Sequence, residues 1–107
     1  MKRLYTSGNW YVKQGAEQEF IEAWADLAEW TFANVEGCTF AKLLQDEADG
    51  RHFLSFSPWS NEAAIAAWRE EPGFQRRVQR LQELLESFSP AVMDVAAEAG
   101  SPTPDPW

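Results

Sequence analysis

One cysteine and one histidine are all that 107 residues supply of the two most reactive side chains. With Cys38 alone an internal disulfide is impossible, which fits a reducing cytoplasm. With His52 alone there is no Cys/His cluster at metal spacing and no attractive Ser-His-Asp set, so no metal centre is expected. Basic residues are scarce as well: 9 Lys and Arg stand against 17 Asp and Glu, a net charge of −8. That balance disfavours nucleic acid and anionic membrane surfaces, both of which are gripped through Lys and Arg. No apolar run approaches the roughly 18 residues of a membrane span. The first residues, MKRLYTSGN, carry two positive charges without the apolar stretch of a signal peptide. A Gly-rich phosphate loop is missing too. These absences leave a cytoplasmic protein with neither nucleic acid nor membrane as partner.

Aromatic bulk is what the chain has instead. Six Trp, 7 Phe and 2 Tyr exceed what one small core needs. Individually most of these rings fill core. Together they point to a ring-lined pocket or a buried subunit interface.

Residues 3–12 have strand composition, with Leu4, Tyr5, Thr6, Trp10, Tyr11 and Val12. After Gly15, acidic Glu17 and Glu19 favour a helix start. From Ala16 to Asn34, Phe20, Trp24, Leu27, Ala28 and Thr31 recur at helical spacing, while Glu22, Asp26 and Glu29 form a solvated stripe. Residues 38–46 and 51–58 read as a hairpin turned at Asp49-Gly50. Ser60 is placed to cap the next helix, which carries Ile65 and Trp68 until Pro72 stops it. A third helix is expected from Gly73 to Phe88, with Phe74, Val78, Leu81, Leu85 and Phe88 on one side, and a last strand from Ala91 to Ala97. Residues 1–98 then form one domain. Residues 99–107, holding the proline-rich SPTPDPW, read as a flexible tail unless Trp107 docks.

The order β-α-β-β-α-β predicts an α+β, ferredoxin-like fold whose helices cover one face of a four-stranded antiparallel sheet. Strands one and three place apolar groups on both parities, as in Leu4 with Tyr5 and Phe53, Leu54 with Phe56. A sheet wet on one side should alternate. The second face therefore needs a cover, and another copy related by a two-fold axis supplies it most simply.

Val12-Lys13-Gln14-Gly15 leading to Glu19-Phe20 and Trp24, then Val35-Glu36-Gly37-Cys38, SFSPWSNEAAIAAW and Pro72-Gly73-Phe74 resemble the antibiotic biosynthesis monooxygenase family of dimeric α/β barrels. The likeness covers roughly residues 1–98. It implies the fold and a homodimer. That family includes cofactor-free oxygenases, haem-degrading enzymes and proteins without known activity, so fold analogy leaves the reaction open. For a cofactor-free member it implies oxidation by O2 of a small aromatic, quinol-like or polyketide-like compound in a dry pocket with a few hydrogen-bond donors and no cofactor.

On that resemblance Asn9 lies near a functional Asn of haem-degrading relatives, but its spacing to Gly15 is one residue short, and one residue reverses the face of a strand. Ser7 shares its parity. Trp68 matches a helix Trp that those relatives set against porphyrin, and Trp24, Phe56 and Phe74 are further candidate walls; each serves equally as core. Their axial His is replaced by Val78, which argues against haem degradation by the usual ligation. His52 would be a base if it faced the cavity and a hairpin residue otherwise. Asn9 and His52 are thus the candidate catalytic residues, and Ser7, Trp24, Phe56, Trp68 and Phe74 the candidate substrate contacts. A non-enzymatic dimer that shelters a hydrophobic ligand, and a haem-binding relative without the His, stand as alternatives.

Overall fold

The computed structural model describes residues 3–100. Its elements run β1 (Leu4–Val12), α1 (Glu17–Asn34), β2 (Lys42–Gln45), β3 (His52–Trp59), α2 (Glu62–Glu70), α3 (Pro72–Glu83) and β4 (Leu85–Asp94). The strands form one antiparallel sheet in the order β2-β3-β1-β4. This is the expected α+β, ferredoxin-like arrangement. The tail from residue 101 onward, including Trp107, lies outside the described residues.

β1 alternates cleanly: Leu4, Thr6, Gly8, Trp10 and Val12 are buried, and the residues between them are not. The buried parity faces the helices. Trp10 packs on Phe20 of α1 with ring centroids 5.3 Å apart, and Phe20 on Phe53 of β3 at 4.9 Å. α1 turns its buried stripe of Phe20, Ala23, Leu27 and Thr31 to the same core. Gly37, after α1, has φ 103°, and a Cβ there would lie 2.8 Å from that of Ala64 on α2. Glycine is required on both counts.

The break between α2 and α3 follows from Pro72. Glu71, forced extended by the following ring (φ −66°, ψ 131°), ends one helix and begins the next, and Pro72 occupies the first turn of α3. Gly73 is buried against the Trp30 indole. The cap of α2 is Asn61, not Ser60: Asn61 Oδ1 accepts the Ala64 N–H at 2.8 Å.

Several element boundaries differ from expectation. α3 stops at Glu83 rather than Phe88, and β4 begins at Leu85 rather than Ala91. The loop after β1 ends the helix, because Lys13 donates its N–H to Leu84 O at 2.9 Å and its Nζ to Glu83 O at 2.9 Å. Leu85 then pairs with Val12, and Phe88 stacks on Trp10 at 3.9 Å and 12°. An i, i+3 spacing of Leu85 and Phe88 imitated a helical face. β2 is also shorter than residues 38–46. Cys38 makes an isolated bridge to Trp59, and the ladder resumes only at Lys42. Between β2 and β3 the loop is six residues, Asp46–Arg51, with Asp49-Gly50 inside it. Asp46 Oδ1 accepts the Ala48 N–H and Asp49 Oδ1 the Arg51 N–H.

The opposite sheet face has no helix over it. There Leu44, Leu54 and Met93 are 50%, 45% and 55% exposed, beside the Tyr5 and Phe56 rings. Among the described residues nothing covers this apolar patch.

Candidate functional site

A cavity of about 460 Å³ lies between the sheet and the helices. Its floor is the buried parity of the two central strands: Thr6 and Trp10 from β1, Ser55, Ser57 and Trp59 from β3. α1 supplies Trp24, Leu27 and Thr31, and α2 and α3 supply Trp68, Phe74 and Val78. Phe88 and Val92 of β4 close the remaining side. Where β2 falls short of its expected start, Cys38 and Ala41 reach the wall.

The rings are locked by hydroxyls. Trp10 Nε1 donates to Ser55 Oγ at 2.9 Å, Trp59 Nε1 to Thr6 Oγ1 at 3.0 Å and Trp68 Nε1 to Thr31 Oγ1 at 3.0 Å. Each buried indole N–H is thereby satisfied. Trp68 also packs on Trp59 at 4.8 Å and edge-on to Phe74 at 4.4 Å. Proton counting shows what is left for a ligand. Thr31 spends its hydrogen on Leu27 O at 2.8 Å. Thr6 and Ser57 share one bond at 2.8 Å and Ser57 also bonds the Cys38 thiol, so this pair leaves no hydrogen to spare. Ser55 accepts from Trp10 and keeps its own hydrogen to give. The floor thus offers the Ser55 O–H as its donor among apolar walls.

Ionisable groups are few. Burial pushes the Cys38 thiol above its ordinary pKa, opposed by hydrogen bonds from Ser57 and at Phe40, so the thiol stays protonated near neutrality. Arg69, on the last turn of α2, is the charged residue of the lining. Among the described residues no group of three or more His, Cys, Asp and Glu side chains is placed to hold a metal.

Of the residues singled out from sequence, Ser7, Trp24, Trp68 and Phe74 line this cavity. Ser7 does so from the sheet floor, although its side chain belongs to the parity of the open face. Asn9, His52 and Phe56 are not among its lining residues, so the cavity placement considered for them is not the one found. Asn9 is paired across the sheet with Leu54, His52 with Tyr11 and Phe56 with Ser7, all on the uncovered face. There the His52 ring sits between Asp46 Oδ2 at 3.1 Å and Asn9 Oδ1 at 2.8 Å. The short spacing from Asn9 to Gly15 had this consequence: Gly8 and Thr6, not Asn9, point toward the helices. Thr6, Ser55, Ser57 and Arg69 were missed. Their signal was available in part, since Ser55, Ser57 and Trp59 alternate on one parity of a strand, as Thr6 and Trp10 do on its neighbour.

The sequence profile of the antibiotic biosynthesis monooxygenase family matches residues 4–80. The chain belongs to that family. Its fold is similar to a variant of SnoaB, a cofactor-independent oxygenase from Streptomyces nogalater, with a TM-score of 0.85 at 19% identity over 94% of this chain and 100% of that one. A conserved protein from Methanosarcina mazei Go1 is similar at a TM-score of 0.78 and 20% identity over 87% and 92%. At these identities the likeness establishes the family's fold alone. By sequence, the uncharacterized protein sll1783 of Synechocystis is 29% identical over 82 residues, 77% of this chain. The chain spans about half the length of that curated relative, 55%. No helix among the described residues is long and apolar enough to cross a membrane.

Proposed function

We propose that this family member is a cofactor-independent monooxygenase that oxidises a small quinol-like or polyketide-like aromatic compound with O2. The observation that carries the reading is the ring-walled cavity of about 460 Å³ with the Ser55 hydroxyl free to donate on its floor. In this reading a planar polycyclic phenol lies between the Trp and Phe faces, with its oxygen on Ser55. Hydrogen bonds to that oxygen favour its anion, and an electron-rich anion can reduce O2 without a metal or flavin. The balance closes on substrate and O2 alone. A ring CH2 becomes C=O, one oxygen atom entering at carbon and the other leaving as water with both hydrogens. Asn9 and His52, on the other side of the sheet, are given no part in this step.

An oxygen electrode with a panel of anthrones and hydroquinones tests it. Uptake above the buffer rate is expected, falling about tenfold or more in Ser55→Ala, because a positioned donor to a developing oxyanion contributes at least that much. Uptake equal to buffer, or unchanged in Ser55→Ala and Trp68→Ala, refutes it. A second reading, a binding protein that shelters a hydrophobic ligand, draws on the scarcity of ionisable groups in the wall. Tight binding with no oxygen uptake favours that reading.

The working unit is proposed to be a homodimer. Half-exposed Leu44, Leu54 and Met93, joined by Tyr5 and Phe56, make an apolar face that a second copy covers about a two-fold axis. Leu54→Glu should yield monomers in sedimentation velocity at micromolar concentration. A wild-type chain that sediments as a stable folded monomer rules the dimer out.

A further inference from the structure

We infer that the cavity selects aromatic compounds bearing a carboxylate, and that Arg69 is the residue that reads it; the inference rests on the aromatic-binding part of the proposed function. The wall has a graded polarity. Its exposed members include Phe32 and Val92, each 43% exposed, and Arg69. Arg69 is thus the one charge among the described residues of this wall of rings, aliphatic groups and hydroxyls. Among the described residues it has no ion pair, whereas Arg3, Arg51 and Arg77 each hold a carboxylate. Glu70 and Glu71 adjoin it in sequence, yet neither makes an ion pair with it. The chain carries −8 overall, so its net charge opposes the approach of an acidic ligand. A guanidinium free to clamp both oxygens of a carboxylate supplies the local exception. A planar ligand with its acid on Arg69 and its phenol on the Ser55 hydroxyl satisfies both together. A helix-end charge that merely complements the α2 dipole would be indifferent to what the cavity holds.

Anthraquinone-2-carboxylate and its carboxamide separate the two roles. Both are already oxidised, so binding is read without turnover, through quenching of the lining tryptophans. The wild-type protein should bind the carboxylate about tenfold more tightly than the amide. That preference should fall to within about twofold in Arg69→Gln, persist in part in Arg69→Lys, and shrink in the wild type as salt is raised. Equal affinities in the wild type, or a preference that survives Arg69→Gln, overturns the inference. Binding of neither compound sinks it together with the aromatic-pocket reading. Carboxylate preference without oxygen uptake on any quinol leaves the inference standing and removes only the oxygenase.

Discussion

Thr6→Val probes the hydrogen-bonded floor directly. Thr6 is 8% exposed and Trp59 5%. Valine keeps the branched shape and deletes Oγ1, which accepts from Trp59 Nε1 at 3.0 Å and bonds Ser57 Oγ at 2.8 Å. The stranded indole N–H dominates the cost, because a buried donor left without a partner costs about 1–3 kcal/mol. Ser57, only half-buried, can turn its hydroxyl elsewhere and adds less. The expected total is about 2 kcal/mol, against about 0.5–1 for Ser57→Ala, which leaves the indole satisfied. The decisive comparison is made in a Trp59→Phe background, where no donor remains to be stranded. There Thr6→Val should cost about 1–2 kcal/mol less than in the wild type. Equilibrium urea unfolding followed by circular dichroism, at fixed protein concentration, gives the four free energies of the cycle, with m unchanged. Agreement of the two Thr6→Val costs to within about 0.5 kcal/mol, the usual tolerance for independent sites, would refute the assigned coupling.

Gly73→Ala should destabilise by about 1–3 kcal/mol, since its Cβ would sit 2.4 Å from Cζ2 of Trp30, and this outweighs a helix-propensity gain of about 0.5–1 kcal/mol. A raised melting temperature would contradict the packing. Asn61→Ala should cost about 1 kcal/mol and Ser60→Ala clearly less, because Asn61 caps α2; equal costs in chemical denaturation would remove the assignment. His52, and then the Ala48 N–H, hold the Asp46 carboxyl below its ordinary pKa. A depressed folded value means that its contribution is present above the unfolded pKa, about 3.9, and fades as pH falls through the folded one. Asp46→Asn should accordingly flatten the acid limb of the stability profile below about pH 4, and an unchanged limb would count against the pairing.

Local chemistry that acts on the backbone was legible in the sequence. Pro72 fixes a break wherever it falls, Gly37 marks the end of α1, and the period of Phe20, Leu27 and Thr31 sets that helix's inner face. What depended on pairing was not legible. Leu85 and Phe88 suit a helix as well as a strand until Val12 and Trp10 stand opposite them. Asn9 was a candidate through its resemblance to the family's functional Asn, and its spacing to Gly15, one residue short, puts it on the other face of the strand.

The same register explains how the floor works. Gly8 stands opposite Ser55 and Thr6 opposite Ser57, so two hydroxyls from β3 meet β1 on the helix side. A Cβ on Gly8 would lie 2.5 Å from Trp10 Nε1 and 2.8 Å from Ser55 Oγ, in the space their hydrogen bond crosses. The missing side chain is therefore what lets the indole reach the serine. Because that bond uses Ser55 as an acceptor, the serine's own hydrogen is left for a ligand. Glycine in the middle of a central strand costs stability, and here its missing side chain is the space the indole–serine bond occupies.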